Sequence, residues 1–214
     1  MSKAPQSCLT WRLKPWQTIL LFSVLLFVII GLGTFFFDFF AGSATVGFGV
    51  QPAGEVKGTG MFFIYMIGYF TALVVVLPIL LIRRFGVGTA VYLPMVVVGF
   101  PINYYYEWII EPVWIAPWAG IGWSVAFLAT GFSADLTYRF LSAHFSERLR
   151  AIFVGIVIAC VTYVLTLVAL SVIYKAPLET ESGSFLGLTY FGLPWLIVNS
   201  AFGGYTAYAI SRNV

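Results

Sequence analysis

The residues in this chain best suited to chemistry are aromatic faces set beside carboxylates. The stretch Tyr104-Tyr105-Tyr106-Glu107-Trp108-Ile109-Ile110-Glu111-Pro112-Val113-Trp114 carries rings and acids together, and Phe35-Phe36-Phe37-Asp38 repeats the combination. Rings stack on flat molecules and attract cations, and carboxylates accept charge-assisted hydrogen bonds. This set fits a flat or cationic organic ligand. The candidate contacts are Asp38, Tyr105, Glu107, Trp108, Glu111 and Trp114, with Asn199 as a further polar point. A second reading covers the rings alone: Trp and Tyr gather at membrane interfaces because they are amphipathic. Trp118 and Trp123 fit either account, whereas interfacial anchoring leaves the acids unexplained.

Other chemistries find less support. His144 is the single histidine, and the two cysteines, Cys8 and Cys160, fall in a polar tail and an apolar run. Protein metal sites lean on clusters of His and Cys, so no metal or other cofactor is expected. No nucleophile–base–acid set can be assembled within the apolar runs. Glycines such as Gly31, Gly33, Gly58 and Gly60 do not follow a strand and open a phosphate-binding helix. An enzyme is not expected. A net charge of +3, carried in short loops, does not point to nucleic acid.

Composition dictates what must position these groups. The chain is 61% hydrophobic and only 9% charged, with a mean hydropathy of +0.97. A soluble domain carries about 25% charged residues, so there is too little charge here to coat a water-facing surface. Apolar runs near 16–38, 60–82, 86–105, 117–140, 151–174 and 186–210 approach or exceed the ~20 residues that a helix needs to cross a hydrocarbon core. They lack period-two alternation, so helices rather than barrel strands satisfy their backbones. The first run is longer than the ~7–15 residues of a signal-peptide core and is expected to remain as a span. The predicted architecture is a single all-α domain, an integral membrane bundle of six helices.

Charge sets the orientation. Of 11 Lys and Arg, nine fall on one side of this arrangement: Lys3, Arg12, Lys14, Arg83, Arg84, Arg139, Arg148, Arg150 and Arg212. Six of the eight acids fall on the other: Asp38, Glu55, Glu107, Glu111, Glu179 and Glu181. Positive charge marks the cytoplasmic face, which places both termini in the cytoplasm and the aromatic–acidic segment outside. The location expected is a plasma membrane, crossed several times.

Within the spans, Asp135 stands out, because an intramembrane carboxylate is a functional candidate by default. Arg139 lies four residues on, the spacing of an intrahelical ion pair, so a structural Asp135–Arg139 pair is expected. Small residues mark faces for close helix approach: Gly120, Ser124, Gly131 and Ala134 in the fourth run, and Ser200, Gly203, Gly204 and Ala207 in the sixth. Packing within the chain accounts for them. So does docking on a partner, for which Gly131, Ala134, Asp135, Gly203 and Gly204 are the candidates.

The layout resembles the substrate-binding (S) component of an energy-coupling factor vitamin transporter, in the branch associated with hydroxymethylpyrimidine or thiamine-type ligands. The resemblance is carried by Tyr65-Met66-Ile67-Gly68-Tyr69, by the hairpin Ile82-Arg83-Arg84-Phe85-Gly86-Val87-Gly88-Thr89-Ala90, by Gly122-Trp123-Ser124-Val125 through Ser133-Ala134-Asp135-Leu136, and by Asn199-Ser200-Ala201-Phe202-Gly203-Gly204. It implies a small organic ligand held near the outer face. It also implies a membrane coupling subunit and ATPase subunits as partners, because this chain has no ATP-binding motif. The chain departs from that pattern in having Asp135 where a Glu is expected, in offering only Gly31 and Gly33 for docking in the first span, and in a longer 104–117 loop. A second resemblance is to the A subunit of archaeal ammonia monooxygenase, in the copper membrane monooxygenase family. It rests on Pro112-Val113-Trp114, Asp135-Leu136-Thr137-Tyr138 and Pro177-Leu178-Glu179-Thr180, and implies a structural subunit of a membrane enzyme.

Overall fold

The computed structural model describes residues 13–41, 58–105, 118–168 and 193–214. Within its helices, side chains are described over 13–29, 68–98, 124–165, 168 and 193–214. The described residues form an all-helical bundle: α1 (Pro15–Ala41), α2 (Gly58–Ile82), α3 (Val87–Tyr105), α4 (Trp118–Phe140), α5 (Glu147–Val168) and α6 (Leu193–Ser211), with a 3-10 turn at Leu141–Ala143. No strand occurs among them.

Several of the described helix ends have a local cause. Pro15 opens α1, where its missing N–H costs nothing. Gln17 reaches back to accept the Lys14 backbone N–H at 2.9 Å, half of a capping box. At the far end of α2, Arg83 turns left-handed (φ 55°) and Gly86 follows at φ 90°, so the chain reverses within the Arg83-Arg84-Phe85-Gly86 turn that the sequence predicts. Glycine tolerates that second angle without a side-chain clash. The Glu147 acid sits in the first turn of α5, favourably placed against the helix dipole. This helix starts four residues before the apolar run that predicts it, because its charged first turn is held by partners described below.

Helix order in space follows from glycine contacts. A Cβ at Gly131 of α4 would lie 2.7 Å from the Gly88 carbonyl oxygen and 2.7 Å from Thr89 Cα, so α3 and α4 touch backbone to backbone. Tyr92 of α3 stacks on Phe127 of α4 with centroids 5.9 Å apart, and the pairing of 88 with 131 and 92 with 127 makes the helices antiparallel. Gly155 and Ala151 of α5 meet Ser200 and Gly204 of α6 in the same antiparallel sense. By contrast, Gly68 and Tyr69 of α2 meet Leu196, Ser200 and Gly203 with rising numbers on both helices, so α2 and α6 run parallel. Tyr69 donates to the Thr206 hydroxyl at 3.2 Å along the same seam. The turn after α2, the turn between α4 and α5, and the end of α6 therefore share one end of the bundle.

The core lies among all six helices and includes Leu26, Val75, Ile79, Val91, Tyr92, Val154 and Ile158, with Ala207 from α6. The outer surface is also apolar. Val97 is 63% exposed, Phe202 60%, Val125 58%, Val164 55% and Leu20 51%, spread over different helices. In water such a girdle would be a severe liability, since soluble monomers rarely expose apolar patches above a few hundred Å².

Candidate functional site

The aromatic–acidic set falls mostly beyond what the structure describes. Glu107, Trp108, Glu111 and Trp114 lie outside the described residues. Asp38 and Tyr105 fall on the described backbones of α1 and α3, but their side chains are not described. Asn199 is half-buried on α6, beside the fully buried Ser200. Asp38 lies on the backbone of α1, and Tyr105 is the last residue of α3, at the end opposite the Arg83–Gly86 turn.

Asp135 is a buried carboxylate that accepts three hydrogen bonds from the neighbouring helix. It is 2% exposed. Its Oδ1 accepts the Gly88 N–H at 2.8 Å, and its Oδ2 accepts the Thr89 N–H at 2.9 Å and the Thr89 hydroxyl at 2.8 Å. These amides belong to the first turn of α3, where N–H groups have no intrahelical acceptor. The residues just before α3, Phe85 and Gly86, have no side chain able to cap it. Asp135 supplies that cap from the neighbouring helix.

The expected Asp135–Arg139 ion pair is therefore corrected. Arg139 instead places its guanidinium 5.7 Å from the Phe85 ring centroid, at the α2–α3 turn. The carboxylate's lone pairs are better met by a cluster of preorganised amides than by an exposed, flexible arginine on its own helix.

Gly131 and Ala134 flank Asp135 and are buried on the same face, with Gly131 against Gly88 and Thr89. Gly203 packs on the Tyr69 carbonyl of α2 and Gly204 on the Ala151 carbonyl of α5. All five docking candidates are thus in contact with, or buried among, helices of this chain itself. An added methyl at Gly131, Gly203 or Gly204 would meet backbone atoms that cannot swing away.

At the same end sits a rim of charge that sequence reasoning counted without assembling. Arg83 pairs with Glu147 at 3.0 Å, joining the α2–α3 turn to the start of α5. Tyr138 donates to the same carboxylate at 3.4 Å, and Arg150 lies 4.9 Å from the Tyr138 centroid. Arg148 lies 4.9 Å from the Tyr205 centroid, and Arg212 donates to the Tyr208 hydroxyl at 3.2 Å. The spacing of Tyr205 and Tyr208 was the available signal, since residues three apart share a helix face. His144 is exposed beside Phe140 in this rim. Among the described residues no three His, Cys, Asp or Glu side chains gather as a metal site. No protein-family model, no curated protein and no solved structure matches this chain.

Proposed function

We propose that this protein is a membrane-embedded subunit that binds a small organic molecule at its outer face and passes it inward with partner subunits. The observation that carries the membrane part is the apolar girdle on every side of a closely packed bundle, next to an end rich in arginine. Lipid solvates such a girdle, and positive loops face the cytoplasm. Glu147–Leu165 is long and apolar enough to cross a bilayer by itself, and Pro15–Ile29, Gly68–Ile82 and Val87–Val98 are shorter apolar helical segments among the described residues.

The binding part rests on sequence and placement. Tyr105 closes α3 at the end away from the arginine rim, and the charge pattern of the sequence assigns Asp38, Glu107 and Glu111 to that same side. The rim half is tied together by the Asp135 cap and the glycine contacts, and suits a rigid base under an outer site. Aromatic faces and carboxylates there favour a flat, cationic ligand of the vitamin or vitamin-precursor class. Because the chain carries no ATP-binding motif, inward release draws its energy from a coupling subunit and ATPase subunits, as in energy-coupling factor transporters. The test is binding by the detergent-purified protein, followed by tryptophan fluorescence, with thiamine and hydroxymethylpyrimidine as probes. Saturable quenching that Glu107→Gln and Trp108→Ala both weaken supports the reading. No binding of any aromatic cation contradicts it.

A further inference from the structure

Among the described residues, the arginine end carries Arg83, Arg84, Arg139, Arg148, Arg150 and Arg212. Only two described carboxylates accompany them. Asp135 is buried under the α3 amides, and Glu147 is already held by Arg83 and Tyr138. Among the described residues Arg148, Arg150 and Arg212 form no ion pair within 4 Å, and the Glu147 carboxylate that acts on Arg212 is already engaged by Arg83 and Tyr138.

These arginines are also preorganised. Arg148 and Arg150 lie 4.9 Å from the Tyr205 and Tyr138 centroids, and Arg212 lies 6.0 Å from that of Tyr208 while bonding its hydroxyl. A guanidinium held against a ring keeps other N–H groups free, in a planar fork that matches phosphate oxygens. The buried Nε of Arg150 has no hydrogen-bond partner. Immediately beside the rim the surface turns apolar. Phe140 is 73% exposed, Leu149 42%, Phe145 41% and Phe153 38%, with the Phe145 and Phe153 rings 5.5 Å apart.

A fork for phosphate next to exposed apolar side chains is complementary to an amphiphile rather than to a free ion. We propose that this arginine end binds the phosphate headgroups of anionic phospholipids, Arg148 and Arg212 on the α6 side and Arg150 on the α4 side, with acyl chains along the exposed Leu149 and Phe153 of α5. This proposal rests on the membrane reading above.

The test is native mass spectrometry of the full chain in detergent, delipidated and then titrated with phosphatidylglycerol or phosphatidylcholine. Wild type is expected to retain phosphatidylglycerol at least about tenfold more tightly, the equivalent of one step of 1.4 kcal/mol. The triple variant Arg148→Gln/Arg150→Gln/Arg212→Gln is expected to lose about 100-fold, since each basic residue near an anionic surface contributes about fivefold. The corresponding triple lysine variant keeps the charge but not the fork, and is expected to fall between the two. If the glutamine variant does not fold, the lysine variant decides.

Equal retention of the two lipids overturns the proposal, as does wild-type affinity in the lysine variant. Displacement of the lipid by millimolar inorganic phosphate overturns the lipid in favour of a free-phosphate site. A chain that stays in aqueous solution without detergent sinks the membrane reading itself. A chain that needs detergent yet shows no lipid preference sinks this proposal alone.

Discussion

The Asp135 carboxylate of α4 caps the first turn of α3 by accepting the Gly88 N–H at 2.8 Å, and this one contact ties together two antiparallel helices and the turn before them. A buried amide left without an acceptor costs about 1–3 kcal/mol, and hydrogen bonds to a charged group contribute about 1.5–3 kcal/mol.

Asp135→Ala is therefore expected to destabilise the bundle by about 2–3 kcal/mol. On the scaling for chains of this size, that lowers Tm by about 4–12 °C. Asp135→Asn keeps one acceptor and loses roughly half as much. Thermal unfolding of both variants in the same detergent checks the order. Equal loss in the two would show that the single acceptor kept by Asn contributes nothing, and wild-type stability in Asp135→Asn would show that one oxygen suffices.

Gly131→Ala brings a methyl to 2.7 Å from the Gly88 carbonyl oxygen, where both partners are backbone. The helices must separate, and overpacking of this kind costs about 1–3 kcal/mol. Gly86→Ala meets no atom within 4 Å but must hold φ 90°, a left-handed position that costs about 1–2 kcal/mol. Because Gly131 touches Gly88, two residues from Gly86, the two losses should couple rather than add in the double variant, with the unfolding temperature as readout.

The Arg83–Glu147 pair is a weaker element despite its 3.0 Å separation, because the Arg83 side chain is 68% exposed. Exposed pairs contribute about 0–1 kcal/mol after screening by solvent. A double-mutant cycle with Arg83→Gln and Glu147→Gln is expected to give a coupling in that range that shrinks as salt rises. Coupling well above it would mean that the pair is buried by something more than this chain.

Much of the bundle was legible from composition and charge. Among the described residues, the arginines counted onto one side do meet at one end: Arg83 reaches Glu147, and Arg148 reaches Tyr205, across helices far apart in sequence. The spans near 86–105 and 117–140 match α3 and α4 to within a residue, because prolines, glycines and charges bound them sharply. The partner of Asp135 was not legible in the same way. Helical spacing compares a residue only with its own helix, so Arg139 looked like the partner. The signal that finds the true one is a deficit elsewhere: α3 begins after Phe-Gly with no capping side chain, and a buried acid on the next helix fills the need. The outer ligand set stays a sequence inference, since Glu107, Trp108, Glu111 and Trp114 lie outside the described residues.

Orientation makes its own prediction. In a background with Cys8→Ser and Cys160→Ser, a cysteine introduced by Ala143→Cys lies in the exposed 3-10 turn at the arginine end. A membrane-impermeant maleimide should label it only after permeabilisation, whereas Glu55→Cys should be labelled in intact cells. The reverse pattern would invert the topology and put the aromatic–acidic segment inside.

The most direct test of the central claim is gentle detergent purification at native expression, with mass spectrometry of the proteins and small molecules that accompany the chain. The account predicts a membrane coupling subunit, an ATPase pair and a small aromatic or cationic organic molecule. Recovery of a fixed set of integral membrane subunits with copper, and no organic ligand, would contradict it and make this chain a structural part of a membrane enzyme.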